Sequence, residues 1–149
     1  MHFTLPCDKI RDMVKIVYNR NCVYQTAYHM IWCPKYRKRI LTGEIAETLR
    51  LAINAICTER KWPILTLEIQ PDHIHLFVTI PPSLPVADAV KILKGSTARK
   101  LFAAFPELKD QLYGGHLWSP SYYVGTAGNV SAQTIRHYIE RTEHIKGRR

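Results

Sequence analysis

Residues 73–80, HIHLFVTI, constrain the fold more than any other stretch. Side chains alternate across a β-strand, so Ile74, Leu76, Val78 and Ile80 share one face. That face is wholly aliphatic and has to be covered by another layer. His73, His75, Phe77 and Thr79 share the other, which predicts two imidazoles about 7 Å apart at Cα on an open sheet face rather than in the core. Pro71-Asp72 forms a turn before the strand, and Pro81 and Pro82 end it.

The flanking sequence supplies the partners. Residues 23–33, VYQTAYHMIWC, are aromatic and β-branched and predict a strand ended by Pro34. KYRKRILTG is a loop with Lys35, Arg37, Lys38 and Arg39 around Tyr36. Thr42 is placed to cap a helix over 43–60, whose Ile45, Leu49, Ala52, Ile53 and Ile56 fall at helical spacing. Pro63 opens a strand, ILTLEI, which pairs with 73–80 across the turn. Pro85 predicts the first residue of a helix over 85–104. LWSPSYYVGTA reads as a fourth strand, and SAQTIRHYIERTEHIK as a last helix over 131–146 capped by Ser131.

The order β-α-β-β-α-β-α predicts an α+β fold: a ferredoxin-like or RRM-like antiparallel sheet with helices on one face and an added C-terminal helix. The 149 residues suit one domain, 1–149, with residues 1–21 as a basic lead-in. No apolar run is long enough to span a bilayer, and the N-terminus is too charged for a secretory signal. Both predict a cytoplasmic protein with no membrane partner. Cys7, Cys22, Cys33 and Cys57 lack zinc-site spacing and read as reduced thiols. A net charge of +9 favours a polyanionic partner, nucleic acid first.

His73 and His75 make a partial site for a divalent metal needing at least one more ligand; as a bare H-x-H they are equally the polar side of a half-exposed sheet. A histidine-triad nucleotide hydrolase would need a third histidine where Phe77 stands. A barrel amidohydrolase would need about 250 residues. A metal beside basic surface suggests phosphoryl chemistry on nucleic acid, for which tyrosine is a competent nucleophile. Tyr138 lies mid-helix between His137 and Glu140. Taken alone, packing is the default role for it, as it is for both tyrosines of SYYVG. Tyr36 in the basic loop is a candidate for base stacking. Lys35, Arg37, Lys38, Arg39, Lys91, Lys94, Arg99 and Lys100 are candidates for phosphate contacts, with solvated charge as the alternative for each.

Four stretches then carry a family resemblance: HMIWCPKYRKRIL (29–41), EIQPDHIHLFV (68–78), LKGSTARKLF (93–102) and LWSPSYYVGTAGNVSAQTIRHYIE (117–140). The chain resembles the small single-tyrosine HUH transposases of insertion sequences that move as single-stranded DNA, the insertion sequence 200/605 type. The resemblance implies that His73 and His75 are metal ligands for Mg²⁺ or Mn²⁺. It implies that Tyr138, on the last helix, is the nucleophile that forms a 5′-phosphotyrosine. It also implies a homodimer whose sheets join, and substrates with hairpin ends. The family places a glutamine four residues after the tyrosine as a third ligand; Thr142 stands there, with only a weakly binding hydroxyl. Asp72 is a candidate to orient an imidazole. The Thr142 departure also admits a decayed or repurposed hairpin-binding protein.

Overall fold

A computed structural model describes residues 16–126. The last helix, with Tyr138 and Thr142, and residues 1–15 of the lead-in lie outside the described residues.

The strands are β1 (Val17–Tyr18), β2 (Val23–Tyr24), β3 (Ala27–Trp32), β4 (Ile64–Gln70), β5 (His73–Thr79) and β6 (Tyr123–Thr126); the helices are α1 (Gly43–Arg60), α2 (Val86–Ala104) and the short α3 (Leu108–Gln111). Four strands form one antiparallel sheet in the order β4-β5-β3-β6. With α1 after β3 and α2 after β5, this is the ferredoxin-like plan read from the sequence. The strand with the histidines lies inside the sheet, paired on both edges, so its backbone is fixed by two ladders.

One face of the sheet carries the main core. Met30 and Trp32 of β3, Ile74, Leu76 and Val78 of β5, Leu49, Ile53 and Ile56 of α1, and Val90, Leu93 and Leu101 of α2 are buried together. The aliphatic face expected of 73–80 is therefore where the helices pack. Burying four such side chains contributes on the order of 6–12 kcal/mol of gross hydrophobic stabilisation, most of it offset by chain entropy.

Several expectations need correction. The strand expected over 23–33 is split. Val23–Tyr24 pairs back on Val17–Tyr18 across a turn closed by Asn19 N–H donating to the Cys22 carbonyl, and the main-sheet strand starts only at Ala27. The fourth strand is short. Before it, Leu117–Ser119 is tied beside the end of β3: Lys35 N–H bonds the Leu117 carbonyl and Ser119 N–H bonds the Cys33 carbonyl. Pro120, with no N–H to give, follows. Thr42 has cap geometry, but its side chain makes no capping hydrogen bond. Pro85 sits at the cap of α2, one residue before its expected place.

The larger correction concerns the second face of the sheet. It is not open at β5: every residue from His73 to Thr79 is buried, with His73 and His75 each 3% exposed. A central strand has side chains arriving from both neighbours. His29 of β3 lies flat on Phe77, and Ala27 and Leu65 pack around the same ring.

Candidate active site

The site is built from one turn and three strands. The turn delivers His73 at the first position of β5, directly after Asp72. His73 Nδ1 lies 2.8 Å from Asp72 Oδ1. A carboxylate only accepts, so Nδ1 carries the proton and Nε2 keeps the lone pair. This is the arrangement by which a carboxylate sets the tautomer of a metal-binding imidazole. The His73 hydrogen bond, and then the Arg37 guanidinium, hold the Asp72 carboxyl well below the usual carboxylate range against the opposing effect of burial.

Strand register decides what faces His75. Antiparallel pairing sets Glu68 opposite His75 and Gln70 opposite His73 on β4, and Ile31 opposite His75 and His29 opposite Phe77 on β3. Residues directly opposite share a face, so His29 lies diagonally across from His75. Its Nδ1 is 2.8 Å from His75 Nε2. Burial, then the neighbouring His29 and His73, lower the His75 pKa to about 3. Burial lowers that of His29 to about 4. Both rings are neutral at pH 7, the protonation state in which an imidazole donates to a cation.

These residues fit a divalent ion to the extent of two imidazoles. His73 offers Nε2 behind a carboxylate-held Nδ1, and His75 stands two residues on in neutral form. Among the described residues, no group of three histidine, cysteine, aspartate or glutamate side chains is placed to hold a metal.

The basic residues divide into different roles. Arg37 Nε donates to Asp72 Oδ2 at 2.8 Å, and Arg39 Nη1 approaches the same oxygen at 4.0 Å. Arg37 is thus committed to the turn that carries His73. Tyr36 and Arg37 both have positive φ, 62° and 52°, inside a short 3₁₀ turn, Lys35–Arg37. Non-glycine residues adopt that region at a cost, which the Arg37–Asp72 bond helps to hold. Lys35 Nζ sits over the Tyr36 ring, and Lys38 Nζ donates to the Gln111 carbonyl. Lys94 Nζ donates to the carbonyls of Ser119 and Ser121 at 2.6 and 3.3 Å, anchoring the approach to β6. Trp118 Nε1 adds bonds to the Lys94 carbonyl and to Thr97 Oγ1. Arg39, Lys91, Arg99 and Lys100 are exposed. Tyr122, assigned to packing from the sequence, is also exposed, beside Lys91 and Lys94 in a cleft that Pro120 and Gly95 complete.

Sequence reading missed His29. In VYQTAYHMIWC it looks like one more residue of an aromatic strand. Its place beside His75 depends on the β3–β5 register, for which the sequence offers no local signal.

An antiparallel sheet thus presents H-x-H, His-hydrophobic-His, from a central strand, as the resemblance to HUH proteins implies. Comparison with known proteins narrows this. Residues 22–142 match the model of the family described as "Transposase IS200 like". The chain is 42% identical over 127 residues to the ISDra2 transposase TnpA of Deinococcus radiodurans, covering 85% of this chain and 90% of that protein. It is 32% identical over 116 residues to the transposase of insertion sequence element IS200 from Salmonella typhimurium, covering 76% of each. A crystal structure of a Deinococcus radiodurans R1 transposase superposes with a TM-score of 0.75 at 40% identity, over 85% of this chain and 97% of that one. A REP-associated tyrosine transposase bound to a REP hairpin has the same fold at 18% identity, with a TM-score of 0.50 over 83% of this chain and 68% of that one. The chain belongs to the IS200-like transposase family, and is a transposase, a DNA-strand-transferring enzyme. The family is generally metal-dependent. No helix among the described residues is long and apolar enough to cross a membrane.

Proposed function

We propose that this transposase cuts and rejoins single-stranded DNA at insertion-sequence ends through a tyrosine-linked intermediate. One observation carries the reading furthest: His73, its Nδ1 held by Asp72, stands two residues from a neutral His75 on a doubly paired strand. This occurs in a chain 42% identical to a transposase.

His73 and His75 would hold a divalent ion, Mg²⁺ or Mn²⁺, with imidazole donors favouring Mn²⁺. Such an ion, when bound, would supply Lewis-acid stabilisation of charge developing on the scissile phosphate. Tyr138 is the nucleophile. Its oxygen forms the bond to phosphorus as the 3′-oxygen of the neighbouring nucleotide leaves, giving a 5′-phosphotyrosine and a free 3′-hydroxyl. A 3′-hydroxyl of the joining strand then displaces the tyrosine. Each step exchanges one phosphodiester for another, so no nucleoside triphosphate is consumed. The substrates carry hairpins, in keeping with the hairpin bound by the REP-associated relative. The enzyme works as a homodimer, and 1–149 is one catalytic domain with the tyrosine helix over 131–146. Thr142, four residues after Tyr138, would be at most a weak third ligand, with water as the alternative.

The Thr142 substitution favours one second reading, a hairpin-binding protein that no longer cuts. The deciding experiment incubates the protein with Mn²⁺ and single-stranded DNA from the flanks of its own gene. Covalent adducts are then resolved on denaturing gels. Wild type should form an adduct that Tyr138→Phe abolishes and that His75→Ala reduces by at least a hundredfold. Hairpin binding with no adduct in wild type would overturn the cutting enzyme and establish the second reading.

A further inference from the structure

We propose that His29 is a positioning residue for this site, holding the His75 ring in one orientation and one tautomer. The inference rests on His75 being a metal ligand in the proposed function, but its direct readout does not require metal.

The contact has three parts. His29 Nδ1 and His75 Nε2 are 2.8 Å apart, hydrogen-bond distance for two ring nitrogens sharing one proton. The two rings are stacked at 5.0 Å between centroids with 27° between planes. His29 is itself immobilised, its ring lying on Phe77 at 4.0 Å with an interplanar angle of 3°. Phe77 is fully buried in β5, two residues beyond His75. The strand that carries the ligand thus also carries the platform for the residue that orients it.

The chemistry gives this arrangement a purpose. A neutral imidazole has one proton and two ring nitrogens, and only the unprotonated nitrogen can donate to a cation. His73 has its tautomer set by Asp72. His75 Nε2 instead meets the Nδ1 of a second imidazole, His29. A hydrogen bond between two imidazole nitrogens needs one protonated and the other bare. Only one of the two arrangements leaves His75 able to bind a cation: its Nε2–H donates to His29 Nδ1, and its own Nδ1 keeps the lone pair. His29 Nε2 is buried with no hydrogen-bond partner among the described residues, so the outward side of His29 places no competing demand there. Two ligands are thus prepared by two different devices, a carboxylate for His73 and a stacked imidazole for His75. Loss of such an orienting partner typically weakens metal affinity by about 10–100-fold.

The test compares full-length wild type, His29→Phe and His29→Gln. Phenylalanine keeps the stack on Phe77 and removes the nitrogen; glutamine retains hydrogen-bonding capacity. Ring ¹⁵N shifts of His75 in metal-free protein report its tautomer, and Mn²⁺ binding is followed by electron paramagnetic resonance. Wild type should show a single His75 tautomer, and His29→Phe a mixture. Mn²⁺ should bind about 10–100-fold more weakly to His29→Phe, with most of the loss restored in His29→Gln. Both variants should keep the wild-type circular dichroism spectrum at the assay temperature, which separates positioning from a folding defect. An unchanged His75 tautomer together with wild-type Mn²⁺ affinity in His29→Phe would overturn the proposal. If wild type binds no Mn²⁺, the metal reading falls and the tautomer measurement still decides the role of His29.

Discussion

At the scale of single residues, the site is made of side chains whose burial sets their charge. His29 and His75 hold out against protonation to about pH 4 and about pH 3, while in an unfolded chain they titrate near the ordinary 6.5. Between those values the unfolded state binds more protons, so folding stability falls as pH drops. Their contribution is fully present above pH 6.5 and is lost progressively down to about pH 4 for His29 and about pH 3 for His75. Each ring accounts for up to about 1.4 kcal/mol per pH unit in that window. Asp72, held low mainly by its bond to His73, adds a further loss only below its ordinary value of 3.8, where the unfolded chain takes up a proton while the folded carboxyl stays ionised. Urea unfolding in EDTA at pH 7.5, 5.5 and 4.5 should show the steep limb. His29→Phe should remove about one ring's share of the slope. Equal unfolding midpoints for wild type at pH 7.5 and 4.5 would contradict the burial of both rings.

At the scale of elements, α1 and the β4–β5 hairpin were legible because one local rule dominates each. Leu49, Ala52, Ile53 and Ile56 repeat at helical spacing, and all are buried. The aliphatic positions of 73–80 alternate and fall on the helix side. Leu117–Ser119 was misread because its residues look strand-like while their partners are distant. Trp118 makes a single antiparallel bridge with Pro34 and bonds its indole N–H to α2, rather than continuing into a longer strand. The basic face was legible only as a set of charges. Lys91 is exposed near the start of α2, whereas Lys94, one turn on, is partly buried and donates to two carbonyls. The two lysines should therefore separate in experiment. Lys94→Met should cost about 1–3 kcal/mol of stability by leaving the carbonyls of Ser119 and Ser121 short of a donor. Lys91→Ala should leave stability within about 0.5 kcal/mol and lower the salt slope of DNA binding by roughly one. A Lys91→Ala slope identical to wild type would remove Lys91 from the DNA-contacting set.

At the scale of the whole molecule, the +9 charge and the ferredoxin-like sheet have separate jobs. The sheet fixes the histidines; the charge is the feature that the proposed function assigns to attracting the DNA strand. Counting only the exposed cations Arg39, Lys91, Arg99 and Lys100 as phosphate contacts, single-strand binding should follow salt with a logarithmic slope of about −3. That is roughly a fiftyfold loss of affinity between about 50 and 200 mM salt. Fluorescence anisotropy with a labelled hairpin oligonucleotide checks it, and a flat response would mean that base contacts carry the binding. The fold class and the two histidines could be read from the chain because both rest on short-range patterns. His29 and the Arg37–Asp72 pair could not, because each joins residues about 35–46 positions apart through a register or a turn that only the folded sheet defines.

Asp72 serves two clients at once, Arg37 of the basic loop and His73 of the candidate metal site. This sharing restricts how such a protein can change over generations. A lineage adapting the loop to a new DNA end can vary Arg39 at little cost, but a change at Arg37 alters the carboxylate that sets the His73 tautomer. The segments KYR and DHIH are therefore expected to drift together. Relatives that alter one should carry a compensating change in the other, even though nothing in the primary sequence joins them.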